Sequence, residues 1–290
     1  MRVTQSMISD NTLRNISNSY SKLSKLNDQS VSGKKFSKPS DDPVAAMLAM
    51  SYRTDLNKIE QFQENIGTVK SWVDVTDDSL NAVGNALHKF RDLVVQASNG
   101  SYEENQRSYM ALEMRELIGQ ISDLADTQVG GKYIFGGTKT DQRPTDNINA
   151  ATGVINLEVF SNITLPVNIQ GNDIFPDMIS SGGVLDTIAS ALENPNTDPS
   201  TLTNFIGDID AQMDVVLGTR AVVGARQNRV ELMEDRLGQQ EIFSTRILSD
   251  NEDIDLERVL IDLTTQESVH RAALGVGAKI MQPTLMDFLR

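Results

Sequence analysis

The two histidines are the side chains of this chain that could exchange a proton near neutral pH. A catalytic site would also need a nucleophile or a second acid-base group held nearby in a cleft. His88 adjoins Leu87 and Phe90 in a helical pattern, which favours a helix-flank position. His270 lies on an apolar stripe, where we expect packing or a hydrogen bond at a subunit contact. The sequence therefore predicts no catalytic residues and no enzyme.

Two further patterns are only loosely similar to ligand sites. Asp250, Glu252, Asp253 and Asp255 lack the spacing and central glycine of an EF-hand calcium loop, so helix capping explains them better. Residues 131–137 lack the Lys-Ser/Thr pair of a phosphate loop, which favours a strand turn. Because the chain has no cysteine, it has neither thiolate ligands nor disulfides. We predict no metal and no cofactor.

Charge and hydropathy argue against two classes of partner. The net charge of -14 disfavours nucleic acid, because phosphate contacts require clustered Lys and Arg. No run of 18 apolar residues and no apolar signal core are found, so we expect neither membrane insertion nor a cleaved secretory peptide. Residues 1–40 carry seven basic groups against two acidic ones, and residues 250–290 carry eight acidic against four basic ones. The two ends should attract each other or each other's neighbours.

The elements that would position these side chains are mainly helices. A content of 5% aromatic and 39% hydrophobic residues is lean for a globular enzyme and fits thin rods. The clearest signal lies between Pro43 and about Ser98, where about five heptads form a coiled-coil seam. The seam positions are Ile59, Phe62, Ile66, Val69, Val73, Thr76, Leu80, Val83, Leu87, Phe90, Val94 and Ala97.

Two more helices carry matching seams. Asn99-Gly100 predicts a helix stop, and Ser101 with Glu104 predicts a capping box for a second helix that lies antiparallel against the first. A third long helix repeats an apolar residue every seven positions. The seams consist of Met110, Met114, Leu117, Ile121 and Leu124 in the second helix and of Leu202, Ile209, Val216, Val223, Val230 and Leu237 in the third.

A short helix and an irregular arm precede these rods. Residues 13–26 carry one apolar stripe, whereas Gly33 and Pro39 interrupt the pattern over residues 31–43. Asp42 before Pro43 is typical of an N-cap followed by proline at the first helical position. The stripe consists of Leu13, Ile16, Tyr20, Leu23 and Leu26.

A small β module is predicted between the second and third rods. The paired glycines at 130–131 and 136–137 mark the change from a helical to a strand pattern, and strands are expected up to about residue 175. Residues 155–159 alternate in polarity, and residues 163–169 do so again after Ser161-Asn162. A short helix over Val184, Leu185, Ile188 and Leu192 should end before Asn194-Pro195-Asn196.

The last helix follows an acidic turn at residues 250–253 and ends at Pro283. Its stripe is interrupted by Glu267 and His270. A lone short helix is marginal in water, so the two terminal helices should pair with each other or become ordered only on assembly. The stripe consists of Leu256, Leu260, Leu263, Leu274 and Met281.

The predicted fold is mainly α, an elongated rod of long coiled-coil-like helices formed by the N- and C-terminal segments, with an inserted β-rich domain. Three domains are expected. Residues 1–40 and 250–290 would form a terminal helical assembly domain, residues 41–130 and 182–249 a helical rod domain, and residues 131–181 the β-rich insert.

Several motifs resemble those of the flagellin superfamily, over nearly the whole chain. The arm residues Ser32-Gly33-Lys34-Lys35 and Ser37-Lys38-Pro39-Ser40-Asp41-Asp42-Pro43 are similar to its SGK-x-x-x-x-P-S-D-D-P signature, and Asn65-Ile66 and residues 94–100 match its helix-end pattern. Within the superfamily, three stretches are more similar to proteins of the hook-filament junction than to flagellin. They are Met1-Arg2-Val3, residues 131–137 and residues 220–229.

The resemblance implies a structural, secreted protein of the bacterial flagellum at the distal end of the hook. Implied partners are copies of itself in a ring, the first hook-associated protein, flagellin, an export chaperone and the flagellar type III export apparatus. The expected assembly interface is Leu13, Ile16, Tyr20, Leu23, Leu26, Leu256, Leu260, Leu263 and Leu274. The expected connector arm, which would contact neighbouring subunits, is Gly33, Lys34, Lys35, Pro39, Asp41, Asp42 and Pro43.

Two alternatives remain open at this stage. Flagellin itself, the filament subunit, would be abundant and would polymerise into long filaments. A soluble helical adhesin or signalling module would instead pair its seams with a foreign helix and have no place in a flagellum.

Overall fold

The computed structural model describes residues 5–98, 104–194 and 199–280. The chain divides into two compact units, of which the first combines the chain up to Lys58 with the chain from Gln240, and the second is Ile59–Gln239. The three-domain division expected from the sequence stays a prediction. The helices are α1 (Gln5–Ser32), α2 (Pro43–Ser98), α3 (Glu104–Ala125), α4 (Pro176–Ile179), α5 (Val184–Glu193), α6 (Pro199–Glu252) and α7 (Leu256–Ile280), and the strands are β1 (Gln128–Val129), β2 (Lys132–Tyr133), β3 (Asn156–Phe160) and β4 (Ile163–Pro166).

The predicted fold class, mainly α with a small β module, is confirmed. The heptad seams form the core of the second unit. All six seam residues of α6 are at most 1% exposed, and the seam of α2 is buried except at the partly buried Phe62. Thr76, the polar member of the seam, donates its hydroxyl hydrogen to the carbonyl of Trp72 at 2.6 Å, so its burial leaves no unmet hydrogen bond.

Ion pairs fix the direction of α2 against α6 in the second unit. Lys70 pairs with Glu234 at 2.8 Å, and Arg91, later in α2, pairs with Asp210, earlier in α6, at 2.7 Å. The two helices are therefore antiparallel. Glu234 raises the pKa of Lys70 mainly through a hydrogen bond, and Asp210 does the same for Arg91, so both cations keep their charge.

The β module contains less strand than predicted. Strands β3 and β4 pair in antiparallel register, with Leu157 opposite Leu165. The expectation of strands up to about residue 175 was wrong, because the ladder stops at Pro166 and the chain continues in single-turn 3-10 and α-helices. The physical cause is the side chain of Asn168, which is 1% exposed and replaces ladder bonds by accepting from the Ile155 amide at 2.8 Å and donating to the Gly153 carbonyl at 3.0 Å.

The β3–β4 hairpin is anchored on the long helices of the same unit. Asn65 Nδ2 donates to the Glu158 carbonyl at 2.7 Å, and the Phe160 ring stacks on Phe62 with centroids 6.3 Å apart. The Arg236 guanidinium lies 4.2 Å above the Phe160 ring, a cation–π contact. This hairpin thus joins α2 to α6.

The first unit contains the paired terminal helices α1 and α7, which pack against each other. Helix α1 is longer than the predicted short helix over residues 13–26, because it includes further turns on both sides of the apolar stripe. The acidic turn predicted at residues 250–253 was wrong in extent, since α6 continues to Glu252 and only residues 253–255 separate it from α7.

Several sequence predictions concern residues outside the described ranges. They are the helix stop and capping serine at Asn99, Gly100 and Ser101, the break at Pro195 and Asn196, and the end of the last stripe at Met281 and Pro283.

Candidate assembly surface

The residues through which α1 and α7 contact each other recur at heptad spacing and include both polar and apolar side chains. Ser19, which is 7% exposed, accepts a hydrogen bond from Gln266 Nε2 at 3.0 Å, and His270 Nδ1 lies 3.2 Å from the same hydroxyl. One turn from Ser19 along α1, Ile16 is so close to Gly277 of α7 that a Cβ atom on Gly277 would lie 3.0 Å from the Ile16 Cδ1 atom. Small and polar residues therefore interrupt the apolar contact between these two helices, whereas the seams of the second unit are almost entirely apolar.

The structure divides the predicted assembly residues into two sets. Ile16, Leu23, Leu26 and Leu263 are half-buried and lie at the heptad positions of the α1–α7 pair. The other members remain exposed after the pair has formed, and these side chains are free to pack against another molecule. They are Leu13 at 50%, Tyr20 at 63%, Leu256 at 51%, Leu260 at 44% and Leu274 at 47%.

A second apolar surface in the first unit was missed by the sequence analysis. The first two turns of α2 expose four apolar side chains, and α6 exposes two more within the same unit. The run Val44-Ala45-Ala46-Met47-Leu48-Ala49-Met50 was a visible signal, since it precedes the seam and exceeds what one buried stripe requires. The exposed residues are Val44, Met47, Leu48, Met50, Ile242 and Phe243.

The connector arm has a defined path between α1 and α2. Gly33 adopts φ 71°, a conformation that favours glycine, as the chain leaves α1. Asp41 accepts a hydrogen bond from the Lys38 amide at 3.3 Å across a turn that contains Pro39. The predicted cap is confirmed, because Asp42 Oδ1 accepts from the amides of Val44 and Ala45 and α2 begins at Pro43.

Two arm lysines bind within their own subunit. Lys34 Nζ lies 2.6 Å from Glu252 Oε1, and Lys35 Nζ donates to the Asp250 carbonyl at 2.5 Å. The sequence analysis assigned these lysines to contacts with neighbouring subunits. That role stays a prediction for the arm as a whole, and in this structure both ammonium groups have partners at the end of α6.

Glu252 is a buried carboxylate whose contacts sequence reasoning missed. Its side chain is 4% exposed and accepts from both Lys34 and Arg53, while its carbonyl accepts from the Lys35 amide at 2.7 Å. The Ile254 amide donates to the Gly33 carbonyl at 3.0 Å beside it. We call Lys34, Arg53 and Glu252 the latch. The sequence analysis grouped Glu252 with helix-capping acids and did not predict these contacts, because its partners lie far away in sequence. Of those acids, Asp255 does cap α7, since its carboxylate accepts a hydrogen bond from the Arg258 amide.

The histidines and carboxylates form no recognisable catalytic or metal centre in the described part of the chain. His88 is exposed on α2, and His270 contacts Ser19 and, with ring centroids 6.1 Å apart, Tyr20. No group of three or more His, Cys, Asp or Glu side chains able to hold a metal occurs among the described residues. None of the described helices is both long enough and apolar enough to cross a bilayer.

Comparison with known proteins relates this architecture to flagellar subunits. Residues 3–140 match the bacterial flagellin N-terminal helical region. Flagellar hook-associated protein 3 of Escherichia coli K12 is 26% identical to the chain, over 94% of this chain and 95% of that protein. Flagellin of Listeria innocua is 24% identical, over 99% and 98%.

A solved structure agrees with these sequence relatives. The flagellar hook-associated protein of Vibrio parahaemolyticus superposes with a TM-score of 0.66 at 25% identity, covering 73% of this chain and 100% of that one. The motifs of the arm, the buried seams and these full-length similarities agree. The chain is thus similar to members of the flagellin superfamily over nearly its whole length.

Proposed function

We propose that the chain is a structural subunit of the bacterial flagellum that joins the hook to the filament. The observation that carries this proposal is the first unit, in which two terminal helices pair and still expose Leu13, Tyr20, Leu256, Leu260 and Leu274. Exposed apolar side chains at this density mark a surface that another protein covers. Similarity to hook-associated protein 3 over 94% of the chain supports the same role.

The proposed mechanism is assembly through the terminal helices. Copies would associate side by side in a ring at the distal end of the hook, between the first hook-associated protein and flagellin. The subunit would leave the cell through the flagellar type III apparatus, accompanied by an export chaperone, and would act without catalysis. Burial of apolar surface on neighbouring copies would drive the association.

The α1–α7 pair should be only partly stable in an isolated subunit. Its contact places Ser19, Gln266 and Gly277 among apolar residues that are only half-buried, so it contributes less burial than the seams of the second unit. In dilute monomer we expect proteases to cleave α1 before they cleave the second unit. Full protection of residues 1–35 in dilute monomer would contradict this coupling of ordering to assembly.

Gene deletion followed by electron microscopy and an assay for flagellin in the medium tests the proposed function. Intact hooks without filaments, with flagellin lost to the medium, are the expected result. Intact hooks with no flagellin anywhere would identify the chain as the filament subunit, a role favoured by its similarity to flagellin over 99% of its length. Normal motile filaments in a strain without a second copy would overturn a flagellar role.

A further inference from the structure

A concave groove of about 380 Å³ lies where the arm folds back along α1. Gln29 Nε2 donates to the Lys35 carbonyl at 2.6 Å and holds the arm against the helix. The α1 side of the groove includes Tyr20 and Lys25, and the Tyr20 ring also contacts α7, with its centroid 6.1 Å from that of His270. Further along the α1 side of the groove, Ser24 and Lys25 remain exposed in the α1–α7 pair.

The groove combines aromatic rings with an excess of positive charge, since four lysines line it against the two carboxylates of Asp28 and Asp41. Tyr20 and the half-buried Phe36 line it, together with the exposed Lys25 and Lys38. In the part of the chain that the structure describes, the ammonium groups of Lys25 and Lys38 have neither a hydrogen bond nor an ion pair. A complementary ligand would therefore present apolar side chains beside a carboxylate.

The first turns of α7 present that combination. Leu256, Leu260 and Ile261 are 51%, 44% and 65% exposed, and the exposed Glu257 lies between them at helical spacing. Among the described residues the Glu257 carboxylate has no partner. Leu256 and Leu260 continue the stripe of Leu263 toward the start of α7, and there they remain exposed whereas Leu263 is half-buried.

We propose that the groove of one copy binds the Leu256–Ile261 face of α7 in the next copy, with Glu257 between Lys25 and Lys38. The proposal rests on the proposed function, of which it specifies one contact. A subunit does not fill its own groove with this face, because Leu256, Leu260 and Ile261 remain exposed and no described residue of α7 lines the groove. The contact joins two different surfaces, and contacts of this kind close into rings when the rotation between copies permits.

Engineered disulfides test proximity in the assembled flagellum. The natural chain has no cysteine, so Ser24→Cys with Glu257→Cys introduces the only thiols. Mild oxidation of isolated hook-filament complexes should yield cross-linked dimers and a ladder of larger species. The control pair Lys22→Cys with Glu257→Cys carries its first thiol on α1 outside the groove lining and should yield far fewer. Absence of cross-links from S24C/E257C in motile cells would overturn the proposal.

A charge exchange between two variants tests the contact itself. One variant carries Lys25→Glu and Lys38→Glu, and the other carries Glu257→Lys. In cells lacking the natural gene, each variant alone should lower the fraction of hooks that bear filaments about tenfold, because like charges meet across the interface. Co-expression should restore filaments, since each groove then meets an α7 of opposite charge on the other variant.

Three results separate the possible explanations. K22E/K58E is a control with the same change of charge outside the groove, and it should assemble normally. If K25E/K38E supports normal filaments alone, the groove is not an assembly contact. If both variants are exported but fail singly and together, the groove binds another partner such as the first hook-associated protein or flagellin, and the self-contact is wrong. Gene deletion separately tests whether the chain is needed for filaments, so the two failures remain distinguishable.

Discussion

Replacing Glu252 by glutamine should loosen the arm without unfolding the second unit. The carboxylate is 4% exposed, whereas the side chains of Lys34 and Arg53 are 42% and 49% exposed. Removing one member of a fully buried pair costs about 3–5 kcal/mol, but these half-exposed cations can regain water. Two charge-assisted hydrogen bonds, weakened by that exposure, suggest a loss of about 2 kcal/mol. Glutamine keeps the shape and one acceptor, so packing is preserved.

Amide hydrogen exchange measures this loss where it should occur. The Lys35 and Ile254 amides donate to the carbonyls of Glu252 and Gly33, so they exchange when the arm opens. A loss of about 2 kcal/mol corresponds to about 30-fold faster exchange at both amides. The control is Glu257→Gln, which changes an exposed carboxylate of the same unit. Unchanged protection at Lys35 and Ile254 in E252Q, or an equal loss in E257Q, would refute the role assigned to the latch.

Three further predictions concern stability measured by urea unfolding. Leu80→Ala removes a side chain that is 0% exposed and should lower the free energy of unfolding of the second unit by about 2–5 kcal/mol, whereas Leu232→Ala, at a 69% exposed position, should change it by less than about 0.5 kcal/mol. Asp42→Ala removes the two cap hydrogen bonds and should cost the first unit about 1 kcal/mol, visible as faster exchange in the first turn of α2. The hydrogen bond from Arg115 lowers the pKa of the Glu193 carboxyl, so this pair stabilises the fold above the unfolded-state pKa of about 4.3, and its contribution is lost as pH falls through the folded-state pKa. In the Arg115→Met variant, the free energy of unfolding should therefore fall slightly less on acidification. An unchanged pH profile would argue against the pair.

The long helices of the second unit could be predicted because their information is local and repetitive. A seven-residue apolar repeat determines which face is buried whatever the partner, and every α6 position from Leu202 to Leu237 that the repeat identified is buried. Asp42 was predictable for the same reason, since a cap acts on amides two and three residues away. Such features need no knowledge of the tertiary structure.

The latch and the end of the β ladder could not be predicted in this way. Glu252 binds Lys34 and Arg53, which lie about two hundred residues away, and nothing in its local sequence separates it from the exposed acids beside it. Val167 and Ile169 continue the strand alternation and are buried, yet Asn168 takes over the hydrogen bonds that a strand would use. The contacts of a polar side chain that replaces regular backbone hydrogen bonds depend on residues distant in sequence. A periodic pattern of hydrophobic residues does not reveal those partners.

Charge is divided between the two units in a way that bears on assembly. Of the 26 basic and 40 acidic residues, 14 of each lie in the first unit, and the remaining 12 basic and 26 acidic residues give the second unit the whole net charge of -14. Copies that approach through the second unit would meet like-charge repulsion, screened only beyond about 8 Å at physiological ionic strength. The first unit is neutral and exposes Leu256, Leu260 and Tyr20. Because the first unit carries no net charge, close packing of its exposed apolar side chains between copies would meet little long-range repulsion.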